Sequence, residues 1–338
     1  MASRAPSRFT GQTEPQELEV RQRPDDPASV SFTMFGRFAI RSGGADAIQL
    51  EGRKVQELLS YLLLFRTKPH RREIVADALW GGGDSTQSRK YLRQALWELH
   101  GVLGGVGRLG DDVLLIDPVW IQVNPDANLW LDVAEVESAF DAARGTRGED
   151  LDADLATMLD RAIGLYRGDL LEGWYQDWCL FERERLKAMY VMTVEKLLAY
   201  HESHRRFDDG FACGERILRH DRAHERTHWR LMRLRYLAGD RTGAMRQYAA
   251  CVAALREELD VAPSERTSAL YEFIRADEGA FSDAASSLDP TMANPDADRP
   301  GDGPIHHDAA AEPLQQALAA LIRAERLVGE SLRALRRD

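Results

Sequence analysis

An α+β domain followed by an all-α domain is the fold class this sequence predicts, and three observations predict it. Between residues 30 and 125, short β-prone runs, three helical stretches and a hairpin signal succeed one another in that order. From about Leu129 to Ala276 strand signals vanish and one amphipathic helix follows another. A spacing of about 34 residues then relates parts of those helices, the period of a stacked helix-pair repeat.

At 338 residues the chain is long enough for two or three domains, each with a core of its own. A hydrophobic fraction of 44% suits a globular protein with polar tails. The formal net charge of −11 argues against coating nucleic acid by bulk charge, but it leaves room for a local basic surface. The 3 cysteines, Cys179, Cys213 and Cys251, are widely separated and make no Cys-x-x-Cys pair. Reduced thiols fit them best, and with neither a signal peptide nor a long apolar run the expected location is the cytoplasm, away from membranes.

Residues 1–29 are rich in Pro, Arg, Gln, Ser and Asp and read as a disordered leader. In 30–50, β-prone runs broken at Gly43, Gly44, Ala45 and Asp46 predict a small antiparallel sheet of three strands. A helix follows over Arg53–Phe65, with Val55, Leu58, Leu59, Leu62 and Leu63 inward, and Pro69 closes it. A shorter helix covers Arg71–Leu79 and stops at the glycines from Gly81. The third runs over Asp84–Leu103, capped by Asp84 with Gln87 as its reciprocal partner. Val113–Ile116 and Trp120–Val123, joined through Asp117 and Pro118, then read as a hairpin. A strand set, three helices and a closing hairpin make the winged helix-turn-helix order, in which the third helix reads and the hairpin is the wing.

That third helix carries the chemistry. Leu92, Ala95, Leu96, Leu99, Val102 and Leu103 recur at the spacing of one apolar face. Thr86, Arg89, Lys90, Arg93, Gln94 and Trp97 fall on or near the other side. Arg and Lys bond phosphates and guanine, and Gln bonds adenine, so such a face suits the major groove of double-stranded DNA. An ordinary solvated helix would look similar. Position before a hairpin, and basic residues concentrated here in an otherwise acidic chain, favour the DNA reading. Asp117 at the wing tip and Asp111–Asp112 before it repel phosphate. Positioning therefore falls to the third helix, to Arg53 and Lys54, and to the Arg66–Arg72 connection, with Arg71 and Arg72 as its main donors.

The second domain, 129–276, is read as helices over Asp132–Ala143, Asp152–Leu165, Cys179–His204, Asp208–Arg219, Glu225–Ala238, Thr242–Leu259 and Ser264–Arg275. Gly210, Phe211, Ile217 and Leu218 align with Ala244, Met245, Cys251 and Val252. Ala238–Arg241, Ala244 and Tyr248 follow the small and aromatic positions of a tetratricopeptide helix pair. Stacked pairs of that kind form a solenoid whose groove can hold a protein partner, although most of the Leu, Met and Tyr stripe is needed as core between repeats. Residues 277–312 read as a flexible linker and 313–338 as an amphipathic helix with a leucine seam that can support a homodimer.

Other motifs are set aside. Gly105, Gly107 and Gly110 match a dinucleotide-binding spacing but lie between a helix and a strand, the wrong order. His220, His224 and His228 straddle a repeat boundary and lack a second ligand cluster. No cofactor, metal or catalytic constellation is expected, and neither is an enzyme.

Residues 58–64 (LLSYLLL), 78–80 (ALW) and 89–96 (RKYLRQAL) resemble the OmpR-like winged-helix domain of the SARP-type activators, the Streptomyces antibiotic regulatory proteins. Tyr166–Leu171, Trp178, Glu182–Leu186, Leu231–Met232, Ala238–Arg241, Gln247–Tyr248 and Glu257–Leu259 with Pro263 resemble the bacterial transcriptional activation domain. The resemblance covers roughly residues 30–275. It implies a transcription regulator, usually an activator, that reads direct repeats in promoter DNA and helps recruit RNA polymerase, while the helical domain supports dimerisation and activation. Its reading helix falls on Ser85–Leu103, so Arg89, Lys90, Arg93 and Gln94 become the expected DNA contacts. The acidic wing departs from the usual basic one. The alternative is a protein-interaction adaptor built on the tetratricopeptide-like groove, with a winged helix that binds no DNA.

Overall fold

The structure is a computed structural model and describes residues 30–42, 46–81, 85–104 and 113–276. The leader at 1–29, the capping Asp84, the loop from Gly105 to Gly110, Asp111 and Asp112, the linker at 277–312 and the helix at 313–338 lie outside the described residues.

Strands β1 (Val30–Thr33), β2 (Ala39–Ser42) and β3 (Asp46–Ile48) form an antiparallel meander with Phe32 opposite Ile40 and Ile40 opposite Ile48. The sheet has a fourth strand that the sequence reading missed. Strand β7 (Leu129–Leu131) lies parallel to β1, pairing Ser31 with Trp130, so strand structure does not end where the helical region begins. Three residues are too few for an alternating pattern, and a parallel neighbour about 100 residues away has no local turn to announce it.

Helices α1 (Arg53–Leu64), α2 (Arg72–Trp80) and α3 (Ser85–Gly104) follow the sheet. The inward residues assigned to α1 are all buried. Helix α2 starts one residue later than expected because His70–Arg71 are extended as β4 and pair with β6. The hairpin is β5 (Leu114–Ile116) with β6 (Trp120–Val123), in register Ile116 opposite Ile121. Asp117 builds its turn: the carboxylate Oδ1 accepts the amides of Val119 at 2.6 Å and Trp120 at 2.7 Å. Its charge has a structural use at the hairpin tip, since an Asx side chain closes such a turn.

The remainder is helical: α4 (Asp132–Ala142), a short 3₁₀ turn at Gly148–Asp150, α5 (Ala153–Leu165), α6 (Asp177–Ser203), α7 (Phe207–His220), α8 (Glu225–Leu237), α9 (Arg241–Leu259) and α10 (Glu265–Ala276). Helix α6, at 27 residues, is about 40 Å long. Gly214 lets α7 approach α8, for a Cβ there would meet Leu231 Cδ2 at 2.4 Å. The cysteines are free and buried, and burial pushes the thiols of Cys213 and Cys251 up to about 12.

One hydrophobic core runs from Val30 and Phe32 through Leu58, Leu92 and Leu99 to Leu197, Ile217 and Leu234, so the sheet and three helices share their interior with the helical region. Four contacts explain the union. The loop after α5 lies along the end of β1: Gly36 N–H donates to the Asp169 carbonyl at 2.9 Å and Leu171 N–H to that of Met34 at 2.8 Å. Leu171 is left-handed, φ 48°, and the Arg183 guanidinium holds it by donating to the carbonyls of Leu170, Leu171 and Trp174. Asp132, first in α4, is 2% exposed and accepts the amides of Met34 at 2.7 Å, Phe35 at 2.9 Å and Val133 at 2.8 Å. Finally, Glu137 of α4 receives Arg66 at 2.5 Å and Arg185 at 2.6 Å; burial alone would raise its pKa, but the two guanidinia outweigh it and hold the carboxyl below its ordinary value.

Candidate nucleic-acid interface

Helix α3 divides as its spacing predicts. Leu92, Ala95, Leu96, Leu99 and Leu103 are buried, none more than 6% exposed, against α1 and α2. Thr86, Arg89, Lys90, Arg93, Gln94 and Trp97 are all exposed. At 100° per residue, Thr86, Lys90, Arg93 and Trp97 fall within one narrow outward stripe, with Arg89 and Gln94 on either flank. The stripe is rigid at its base: Ser88, buried on the inner side, donates its hydroxyl to the Trp80 carbonyl at the end of α2.

The side chains differ in how free they are. Lys90 and Arg93 have no intramolecular partner among the described residues, so their head groups are available at no cost in lost bonds. Arg89 lies 3.7 Å from Glu73 of α2, but both are exposed and such a pair is worth little. Gln94 donates to Glu98 Oε1 at 2.9 Å, a bond that adenine would have to replace. Trp97 is 77% exposed, and Tyr91 and Ile74 are also exposed nearby in sequence on α3 and α2. Periodicity located Trp97 on this face; its degree of exposure needed the structure.

The expected phosphate donors outside α3 separate into two groups. Arg71 is exposed on β4, opposite Trp120 of the β5–β6 hairpin. Arg72 spans to the same hairpin, donating to the Asp117 carbonyl at 3.0 Å. Arg53 and Lys54 depart from the expectation, because both head groups are already engaged. They bracket the buried Glu57 at 3.3 Å and 2.7 Å; Arg53 also donates to the Gly173 carbonyl and lies over Trp174, and Lys54 donates to the Leu79 carbonyl. Gln176 donates to the same Glu57 carboxylate at 2.6 Å. A carboxylate that is 2% exposed must keep its cations, so this cluster joins α1 to the loop before α6. Arg66 is likewise spent on Glu137.

The three histidines set aside as a metal site have separate duties. His220 packs edge-on against Tyr166 and Tyr190, His224 bonds Thr227, and His228 sits between the Arg222 carbonyl and Gln247. Among the described residues no helix is long and apolar enough to cross a membrane.

Residues 131–275 match the family model of the bacterial transcriptional activator domain. The match begins at the last residue of β7 and ends within α10. The chain is also similar to the solved structure of Mycobacterium tuberculosis EmbR in complex with a low affinity phosphopeptide. That similarity has a TM-score of 0.55 at 21% identity and covers 78% of this chain and 69% of that one. The shared fold is a small N-terminal sheet region followed by a helical domain. A comparison with curated proteins finds no match.

Proposed function

Taking the bacterial transcriptional activator domain at 131–275 as the premise, we propose that this chain is a sequence-specific regulator of transcription, an activator that works in the cytoplasm by binding and not by catalysis. In this reading the sheet, α1–α3 and the β5–β6 hairpin act as a winged helix-turn-helix, α3 enters the major groove of promoter DNA, and α6–α10 act as tetratricopeptide-like pairs that bear on RNA polymerase and on a second copy of the chain. The observation that carries it is the outward stripe of α3, where Lys90 and Arg93 stand exposed, without a partner among the described residues, beside Thr86, Gln94 and Trp97. Arg71 and Arg72 supply backbone contacts beside the wing; Arg53 and Lys54 serve the internal interface instead.

Anisotropy titration on the promoter of its own gene tests this. Arg93→Ala should cost about 1–3 kcal/mol on the preferred sequence and relax its specificity if the guanidinium reads a guanine edge. Lys90→Ala should weaken binding to all sequences and reduce the salt slope by about 1. The adaptor reading predicts no duplex binding even near about 50 mM salt, and that outcome would remove α3 from the interface.

A further inference from the structure

A second cationic cluster lies far along the chain, on α8 and α10. Glu225 at the start of α8 accepts both the backbone amide and the hydroxyl of Ser264, at 2.7 Å and 2.6 Å, and so pins the first turn of α10 beside that of α8. Arg226 and Arg266 each follow within two residues of that pin, and Arg230 sits one turn beyond Arg226 on the same face. The Arg266 guanidinium stacks 4.2 Å from the centre of the Trp229 ring, which fixes its plane. Arg230 reaches the Glu195 carbonyl on α6 at 3.4 Å, a weak bond for so strong a donor.

None of the three guanidinia has a carboxylate partner among the described residues. The nearby acids are engaged elsewhere: Glu202 with Arg233, Glu149 with Arg147, and Glu195 3.8 Å from His224. Burial first, then the neighbouring arginines Arg226 and Arg230, lower the pKa of Arg266. Holding three like charges together costs free energy, which an anionic group bound between them would offset.

We propose that Arg226, Arg230 and Arg266, with Trp229 as the plate that orients Arg266, form a docking site for a carboxylate-bearing segment of a partner protein. Planar guanidinia bind carboxylates through paired hydrogen bonds, and a stacked arginine gives up less freedom in doing so. Glu202, Glu195 and Glu149 act on Arg230 from within the chain, so the two exposed members, Arg226 and Arg266, make the main contacts with the acidic side chains. The site is distinct from α3 and stands whether or not α3 reads DNA.

The probe is a short fluorescein-labelled peptide of alternating Glu and Gly, titrated with the full chain at low salt, beside a counterpart carrying Gln for Glu. The Glu peptide should bind and the Gln peptide should not. The double variant Arg226→Gln with Arg266→Gln should weaken binding about tenfold, while Arg219→Gln, an exposed arginine on α7, leaves it unchanged. Both substituted arginines are exposed, so an unaltered circular dichroism spectrum should confirm folding. Equal binding of the two peptides, unchanged affinity in the double variant, or an equal loss in Arg219→Gln would each overturn the proposal. Displacement of the peptide by duplex DNA would overturn the peptide as occupant. Failure of promoter binding in an otherwise peptide-competent chain would count against the α3 reading alone.

Discussion

Asp132 shows how one side chain can set a pH dependence. Burial pushes its carboxyl up to about 6, although three backbone amides favour the ionised form. The folded state therefore holds a proton that the unfolded state has lost between about pH 4 and 6, and stability falls as pH rises through that window. The change is about 3 kcal/mol at most. Asp132→Asn should remove this slope, so the parent's urea midpoint should fall relative to the variant's from pH 4.5 to 6.5; an unchanged difference would mean that Asp132 does not titrate in that range. On α3, Trp97→Ala should leave the thermal midpoint nearly unchanged, because the ring is 77% exposed, yet weaken DNA binding if the indole meets thymine methyl groups. Replacing thymine by deoxyuridine in the bound site should then penalise the parent protein more than the variant. Lys90, Arg93 and Trp97 were legible in the sequence because helical periodicity alone places them outward. Arg53 and Lys54 misled because the same basic letters serve a buried Glu57 that no local pattern reveals.

At the level of elements, most helices were readable to within two residues. Apolar residues at helical spacing bury one face wherever the helix packs, so Val55 to Leu63 and Leu92 to Leu103 announce their own orientation. Short elements were not readable. Two residues of β4 and three of β7 exist because a neighbouring strand accepts their hydrogen bonds, and neither would persist alone. The approach of α7 to α8 likewise rests on a pair of residues distant in sequence, Gly214 and Leu231. Gly214→Ala should destabilise the protein by about 1–3 kcal/mol through overpacking, although alanine is the better helix former. Thermal unfolding would measure it, and a stabilised variant would show that the helices can slide apart freely.

For the whole molecule the consequence of the shared core is cooperativity. The N-terminal sheet takes its fourth strand from Leu129–Leu131, and α1 is tied to the helical region through Glu57 and Gln176. A fragment ending at residue 125 should therefore lack a sharp thermal transition, whereas the intact chain should unfold the sheet and helices together. Two well-separated transitions in calorimetry would contradict this. Arg66→Ala, which strips one cation from Glu137, a carboxylate only 19% exposed in the intact protein, and leaves it Arg185 alone, should lower the midpoint of that single transition.

The amino-acid sequence by itself determined the order of elements, the inward and outward faces of each helix, and the outward stripe of α3, because these follow from residue spacing and local backbone preference. Only the tertiary structure decided which charges remain free. Arg53, Lys54 and Arg66 are absorbed by partners 3 to 120 residues away, while among the described residues no carboxylate forms an ion pair with Lys90 and Arg93 on α3 or with Arg226, Arg230 and Arg266. The reason is physical: a charge is satisfied or stranded by whatever folding brings within hydrogen-bond reach, and that distance is set by the packing of the whole chain.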